Sequence, residues 1–352
     1  MRIQQNSCRV VSRAGLACLL VAGIVQSLGA QVAYDAPDAR VEVLGLRHWT
    51  LKALQDSIQH RVPGQTLADA ACMVTLRDSL HFADALVMFM TYPAKPGVAA
   101  RHYEIIKVIE PQDSSRVRWT PSPRDTFKVL RPGYATVILP VTDSLGRLLI
   151  GRLFGPLQLY NLDPAARATF MRGRPHAIVE DADRLWNFLN AHRTEADRRT
   201  AVGALHKDGP YANRMVAAAL LANFADQDST WWALTDALRD GNEGVRSTAL
   251  IVLDGLPARR VDWTPAVPAL RALLGGTNVS ATQDVLELLN RTQVSAALAR
   301  PLLHGNGSWV LTHLRAEYPG AHDAAHALLV RLNNGRDLGP SDSAWAHWLA
   351  AL

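Results

Sequence analysis

Apolar residues recur at helical spacing through the C-terminal half of the chain, from about residue 181 to the end. In "STWWALTDALR" (229–239), Trp231, Leu234 and Leu238 fall at i, i+3 and i+7, one face of a helix. Asp240-Gly241 breaks that pattern, and Val245, Ala249, Leu253 and Leu256 then form the stripe of a second helix, 245–256. The same alternation of helix and Gly/Asn/Asp-rich turn predicts helices at 181–192, 194–206, 264–274, 280–290, 295–303, 308–318, 321–332 and 342–352. With 181–192 as a cap, and the apolar run within 207–221 as the partner of 194–206, the rest reads as five helix pairs. The N-terminal half is patterned differently. A strand at 41–49 leads to Thr50, an N-cap for a helix over 51–59. A second helix is expected over 67–80, then strands at 84–92 and 102–111. Residues 143–146 suggest a hairpin turn within a less patterned stretch.

The helix pairs are copies of one another. "KDGPYANRMVAAALL" (207–221) lies over "RDGNEGVRSTALIVL" (239–253) at an offset of 32 residues. Asp208/Asp240, Gly209/Gly241, Arg214/Arg246, Ala217/Ala249 and Leu221/Leu253 are identical. Identities in turn and helix alike indicate duplication of one unit. A single pair cannot bury its apolar faces alone, so the pattern predicts a stacked array.

The motif Leu234…Leu238-Arg239-Asp240…Val245-Arg246…Ala249…Leu253 resembles a HEAT repeat, in the short bacterial form also seen in phycobilin-lyase-like proteins. The resemblance implies an α-solenoid over 181–352. It also implies that Asp208, Arg214, Asp240 and Arg246 form a structural ladder between units. After residue 257 the match weakens: Gly276 and Gly305 stand where the turn Asp is expected. The β-α-α-β-β order over 40–112 resembles a POTRA domain, a module of envelope assembly proteins, with 113–180 as a connecting module. The expected fold class is thus mostly α: an α-solenoid preceded by a small α+β domain.

Composition changes this picture at one end. Residues 1–30 carry Arg2, Arg9 and Arg13, no acid, the apolar run 14–25 and then small residues, the order of a secretory signal. Twelve apolar residues fall short of the roughly 20 that span a bilayer. Cleavage would remove three of the 37 basic residues, leaving 34 against 32 acidic ones. That near-neutral balance argues against nucleic acid as a partner. It would also leave Cys72 as the one cysteine, expected to be a packing residue rather than a nucleophile.

Catalytic motifs are scarce. The sequence has no G-x-S-x-G, P-loop, G-x-G-x-x-G or C-x-x-C. It also lacks the His-Glu dipeptide that holds iron in the HEAT-repeat enzyme deoxyhypusine hydroxylase. His322 and His326, at i and i+4, are the one candidate metal-ligating pair. Trp232, Trp345 and Trp348 are candidate anchors for a partner. The expectation is an exported, periplasmic or extracellular protein with no catalytic residues and no cofactor. It would act as a scaffold for another protein, associated with the envelope, bound on the array surface. No membrane span is expected once the signal is removed. The alternative is a metal-dependent enzyme or lyase-like protein using His322 and His326.

Overall fold

The computed structural model describes residues 31–36, 39–92, 101–124, 129–130, 134, 155–161 and 163–352. The expected signal segment and the expected 143–146 turn lie outside these. Among the described residues the protein is mostly helical, with one small four-stranded sheet on the N-terminal side.

The sheet is built from β1 (Gln31–Asp35), β2 (Arg40–Leu44), β3 (Asp84–Tyr92) and β4 (Arg101–Ile109) in the order β1-β2-β4-β3. β2 and β4 are parallel; the two outer pairings are antiparallel. Between β2 and β3 run α1 (Leu51–Arg61) and α2 (Cys72–Val74), the latter continuing as a π-helical turn, Thr75–Ser79. Thr50 caps α1 by accepting the Ala53 N–H, as its position suggests. The second helix is far shorter than the expected 67–80, because turns occupy the residues before Cys72. β1 has no counterpart among the strands expected from the sequence.

One face of the sheet packs on these helices: Val41, Val43, Ile106 and Val108 meet Leu54, Ile58, Cys72 and Leu76. The opposite face, with Leu44, Tyr103 and Ile105, packs on Ala316, Tyr318 and Ala321. Ile109 joins Val279 and Trp309. β4 is therefore buried on both sides, which accounts for the apolar residues on both of its faces, Tyr103, Ile105, Ile106 and Val108. Gly45, at φ +100°, sits where a Cβ would strike the Val108 carbonyl and the Trp309 ring, so only glycine lets the strand end approach so closely.

The helices that follow are α3 (Pro164–Met171), α4 (His176–Ala191), α5 (Glu195–Lys207), α6 (Tyr211–Leu220), α7 (Asp228–Ala237), α8 (Glu243–Gly255), α9 (Val267–Leu274), α10 (Thr282–Arg291), α11 (Ala299–Leu303), α12 (Gly307–Leu314), α13 (Pro319–Leu332) and α14 (Asp342–Ala351). Each expected helix is present within a few residues. α5, α7, α9 and α11 pack in succession as one layer. α6, α8, α10 and α13 pack as a second. The sequence pattern pairs 295–303 with 308–318 and leaves 321–332 for a final pair. Instead, α13 takes the place beside α10, and α12 is wedged among α9, α13 and α14. Buried Trp309, pressed between the sheet and α10, holds α12 in that wedge.

Candidate functional site

The turn edge of the array is where the two halves of the chain meet, and the four ladder residues lie there. Arg214 is buried (1% exposed) and grips the next unit's Asp240 with two parallel bonds, Nε–Oδ2 2.8 Å and Nη2–Oδ1 2.9 Å. Its Nη1 donates to the carbonyls of Asp208 and Gly209 at 2.9 and 2.6 Å. One unit later, Arg246 Nη1 donates to the carbonyls of Asp240 and Gly241 at 2.8 and 3.2 Å. The duplication seen in the sequence is thus repeated in hydrogen bonds. Asp208 departs from the ladder. Its carboxylate accepts the backbone N–H groups of Val129 and Leu130 and the Asn213 amide.

Those backbone donors belong to a strap. After β4, a 3₁₀ turn (Pro111–Arg116) delivers the chain to the loop before α10, where Thr277 Oγ1 accepts from Arg118 N–H (3.1 Å) and donates to the Arg116 carbonyl (2.8 Å). Thr120 then pairs with the Asp240 loop: its N–H meets the Arg239 carbonyl at 2.6 Å, and its carbonyl accepts from Gly241 at 3.0 Å. Ser122 Oγ accepts from Arg214, and Val129 and Leu130 reach Asp208. The strap therefore visits the three turns in reverse order of the units. Sequence patterning could not reveal it, because its contacts are mostly made by backbone groups.

Where the repeat loses its turn aspartate, carboxylates from the sheet take over. Asp84 at the start of β3 accepts the Val279 N–H at 3.0 Å, ahead of α10. Burial raises its pKa, countered by that bond and by Arg77. Glu42 on β2, 0% exposed, accepts the N–H groups of Glu317 and Tyr318 at 2.7 and 3.0 Å, at the start of α13. Arg40 adds two bonds of 2.8 Å to Glu317. Glu110 is spent within the sheet module, accepting from Arg47, His48 and Trp49.

Beneath the sheet lies a cluster of shifted ionisable groups. Lys107 on β4 points at α10 and is 1% exposed; burial pulls its pKa down to about 8, against the attraction of Asp284, Glu287 and Glu42. Asp284 is pushed up to about 7 by desolvation and then by Asp254, with Lys107 opposing. His313 is fully buried beside Lys107 and held down to about 3 by desolvation. Its Nδ1 lies 3.0 Å from the Trp309 carbonyl, which fixes the proton there and leaves Nε2 bare, without a hydrogen-bond partner. A neutral imidazole beside a lysine with a depressed pKa is acid–base material. Both side chains are sealed from solvent, however, and a substrate would have to part the sheet from the array to reach them.

The other candidates are placed as follows. His322 and His326 stack at 5.9 Å, half-exposed on α13, each against one carboxylate, Asp323 and Asp337. No third ligand atom is gathered around them among the described residues; the three-ligand group found there is His48, Glu110 and Asp113, whose carboxylates are already engaged, Asp113 by Arg47. Trp345 is a correction to the sequence reading: it is 0% exposed and donates to the Gly339 carbonyl, a core residue unable to anchor a partner. Trp348 is half-buried against it, ring centroids 5.7 Å apart, and half-buried Trp232 donates to the Asp262 carbonyl. Cys72 is buried and its thiol is pushed up to about 12, so it stays protonated. No helix among the described residues is long and apolar enough to cross a membrane.

No protein-family model matches the chain, and no curated protein matches it.

Proposed function

We propose that the protein is an exported, non-catalytic scaffold for another protein of the cell envelope: a POTRA-like module docked on a HEAT-like α-solenoid. The observation that carries this reading is β3. It is nine residues long, "DALVMFMTY", and among the described residues it pairs only with β4; Asp84 and Arg77 take the Ala85 N–H and carbonyl, and the outer row beyond Ala85 is left to a partner strand. Phe89 on this strand is 54% exposed, the most exposed of the large apolar side chains among the described residues.

The array surface is less open at α6 than the sequence suggests. In α6 the whole run Asn213–Leu220 is buried, so that helix offers little free surface to a partner. This reading therefore puts the partner at the sheet edge rather than on the array surface. Affinity purification of the chain from its native envelope fraction, with stoichiometry by mass spectrometry, tests the reading. A near-equimolar partner that is lost with Phe89→Lys supports it. A partner indifferent to Phe89→Lys, or turnover of a small molecule without any partner, overturns it.

A further inference from the structure

We propose that the groove between the strap and the first helix layer is a binding site for a small phosphorylated anion. Four arginines from three stretches of chain line it: Arg116 and Arg118 of the strap, Arg239 after α7, and Arg271 of α9. Ser115 and Asn306 add neutral polar groups, and the groove holds about 500 Å³. Bringing four guanidinium groups together is costly unless negative charge compensates them. Here it is scarce: Asp113 attracts Arg116 but is already paired with Arg47. Among the described residues Arg239 alone of the four has an ion-pair partner, Asp236 at 3.1 Å.

The remaining contacts of the four are to neutral oxygens, which orient the guanidinium groups without neutralising them. Arg271 donates to the carbonyls of Pro301 and His304 at 2.9 and 3.1 Å. Arg116 donates to Ser308 Oγ at 2.7 Å, and Arg118 Nε to the Ser115 carbonyl at 3.1 Å. Arg239 Nη2 reaches the Arg118 carbonyl, while its Nε is buried with no partner. Desolvation holds the Arg116 pKa below its ordinary value, so an anion placed beside it would be bound more tightly than at an open surface. Gly275 and Gly305 border the groove, and the space beside Gly305 is open, so a ligand meets backbone there rather than side chains.

Forked, fixed donors with uncompensated charge suit a group with several anionic oxygens, a phosphate monoester or diphosphate. Such a phosphate could be free or on a lipid headgroup, and the test separates the two. Calorimetric titration of the full chain with pyrophosphate and with inorganic phosphate at low ionic strength is expected to show saturable one-to-one binding that weakens with salt. Arg118→Gln, on an exposed residue, is expected to weaken it about tenfold or more. Arg118→Lys would recover part of the loss, and Arg61→Gln on α1 would leave binding unchanged. Sedimentation with phosphatidic acid vesicles, abolished by Arg118→Gln, would place the phosphate on a lipid. Absence of binding to both free phosphates and vesicles overturns the proposal. So does an equal loss from Arg118→Gln and Arg61→Gln, which would mean attraction to net charge alone.

Discussion

Arg214 and Arg246 occupy the same position in consecutive units and make the same pair of bonds to the preceding turn, yet their outward ends differ. Arg214 closes on Asp240, the equivalent residue of the next unit, in a buried two-bond pair. Arg246 meets no such aspartate in the unit that follows, where Gly276 stands instead. Its guanidinium lies over the ring of Trp119, 4.2 Å from the centroid, and its largest attraction of opposite charge comes from Asp84. The first joint is thus made by the repeat itself and the second by the N-terminal half of the chain. The difference teaches why the repeat motif fades after residue 257: from there on, the strap and the sheet supply what the turn once did.

The largest effect is expected at the first joint. Asp240→Ala leaves Arg214 buried and unpaired, and urea denaturation should show a loss of about 3–5 kcal/mol. A loss under about 1 kcal/mol would mean that the two joints do not differ in kind. Asp84→Ala strips the second joint of its borrowed carboxylate and orphans the Val279 N–H, with an expected cost of about 1–3 kcal/mol. Hydrogen exchange at Val279 should accelerate, while the Arg214 joint stays protected.

The charge cluster under the sheet gives a pH test of the same division. Asp284 has a folded pKa of about 7, above its ordinary value of 3.8, so the folded state binds the extra proton between those limits. Its contribution is present below the unfolded value and is lost as pH rises toward 7. Asp284→Asn should flatten that slope by about 1–2 kcal/mol in denaturation curves at pH 4 and pH 7.5. His313 works in the opposite sense. Its folded value near 3 lies below 6.5, so its contribution is present above the unfolded pKa and is lost as pH falls. The smallest effect is at the Trp119 ring: Trp119→Ala should cost about 0.5–1 kcal/mol, and Arg246→Ala more, because it also removes the bonds to the Asp240 and Gly241 carbonyls. The double variant should cost less than their sum if the two side chains act together.

The helices are readable because burial at 3.6-residue spacing writes itself into the sequence, as at Leu234, Leu238, Val245 and Leu253. The junction is not, for three reasons. Asp208 belongs by resemblance to an arginine ladder, but its carboxylate serves backbone N–H groups, which leave no mark on side-chain patterning. Trp345 and Trp348 share a face by spacing, yet only the packing of α14 decides which is sealed. β1 is five residues of mostly half-buried strand, too short and too mixed to stand out. One signal of the junction is nonetheless present in the sequence. Glu42 and Lys107 stand inside β2 and β4 and are fully buried, and a charge inside a strand buried on both faces must meet partners from another part of the fold.

The bond between Glu42 and the Tyr318 N–H spans 276 positions of the chain. Helix pairs such as α5–α6 and α7–α8 join neighbours in sequence and can assemble quickly, but this clasp closes only when residues far apart along the polypeptide meet. Loop-closure entropy makes such an encounter slow, and folding rate falls as contacts become more distant in sequence. A protein rich in helix therefore acquires the late, rate-limiting closure more usual for a β-sheet protein. During folding the sheet must wait, with its array-facing side uncovered, until α13 has formed.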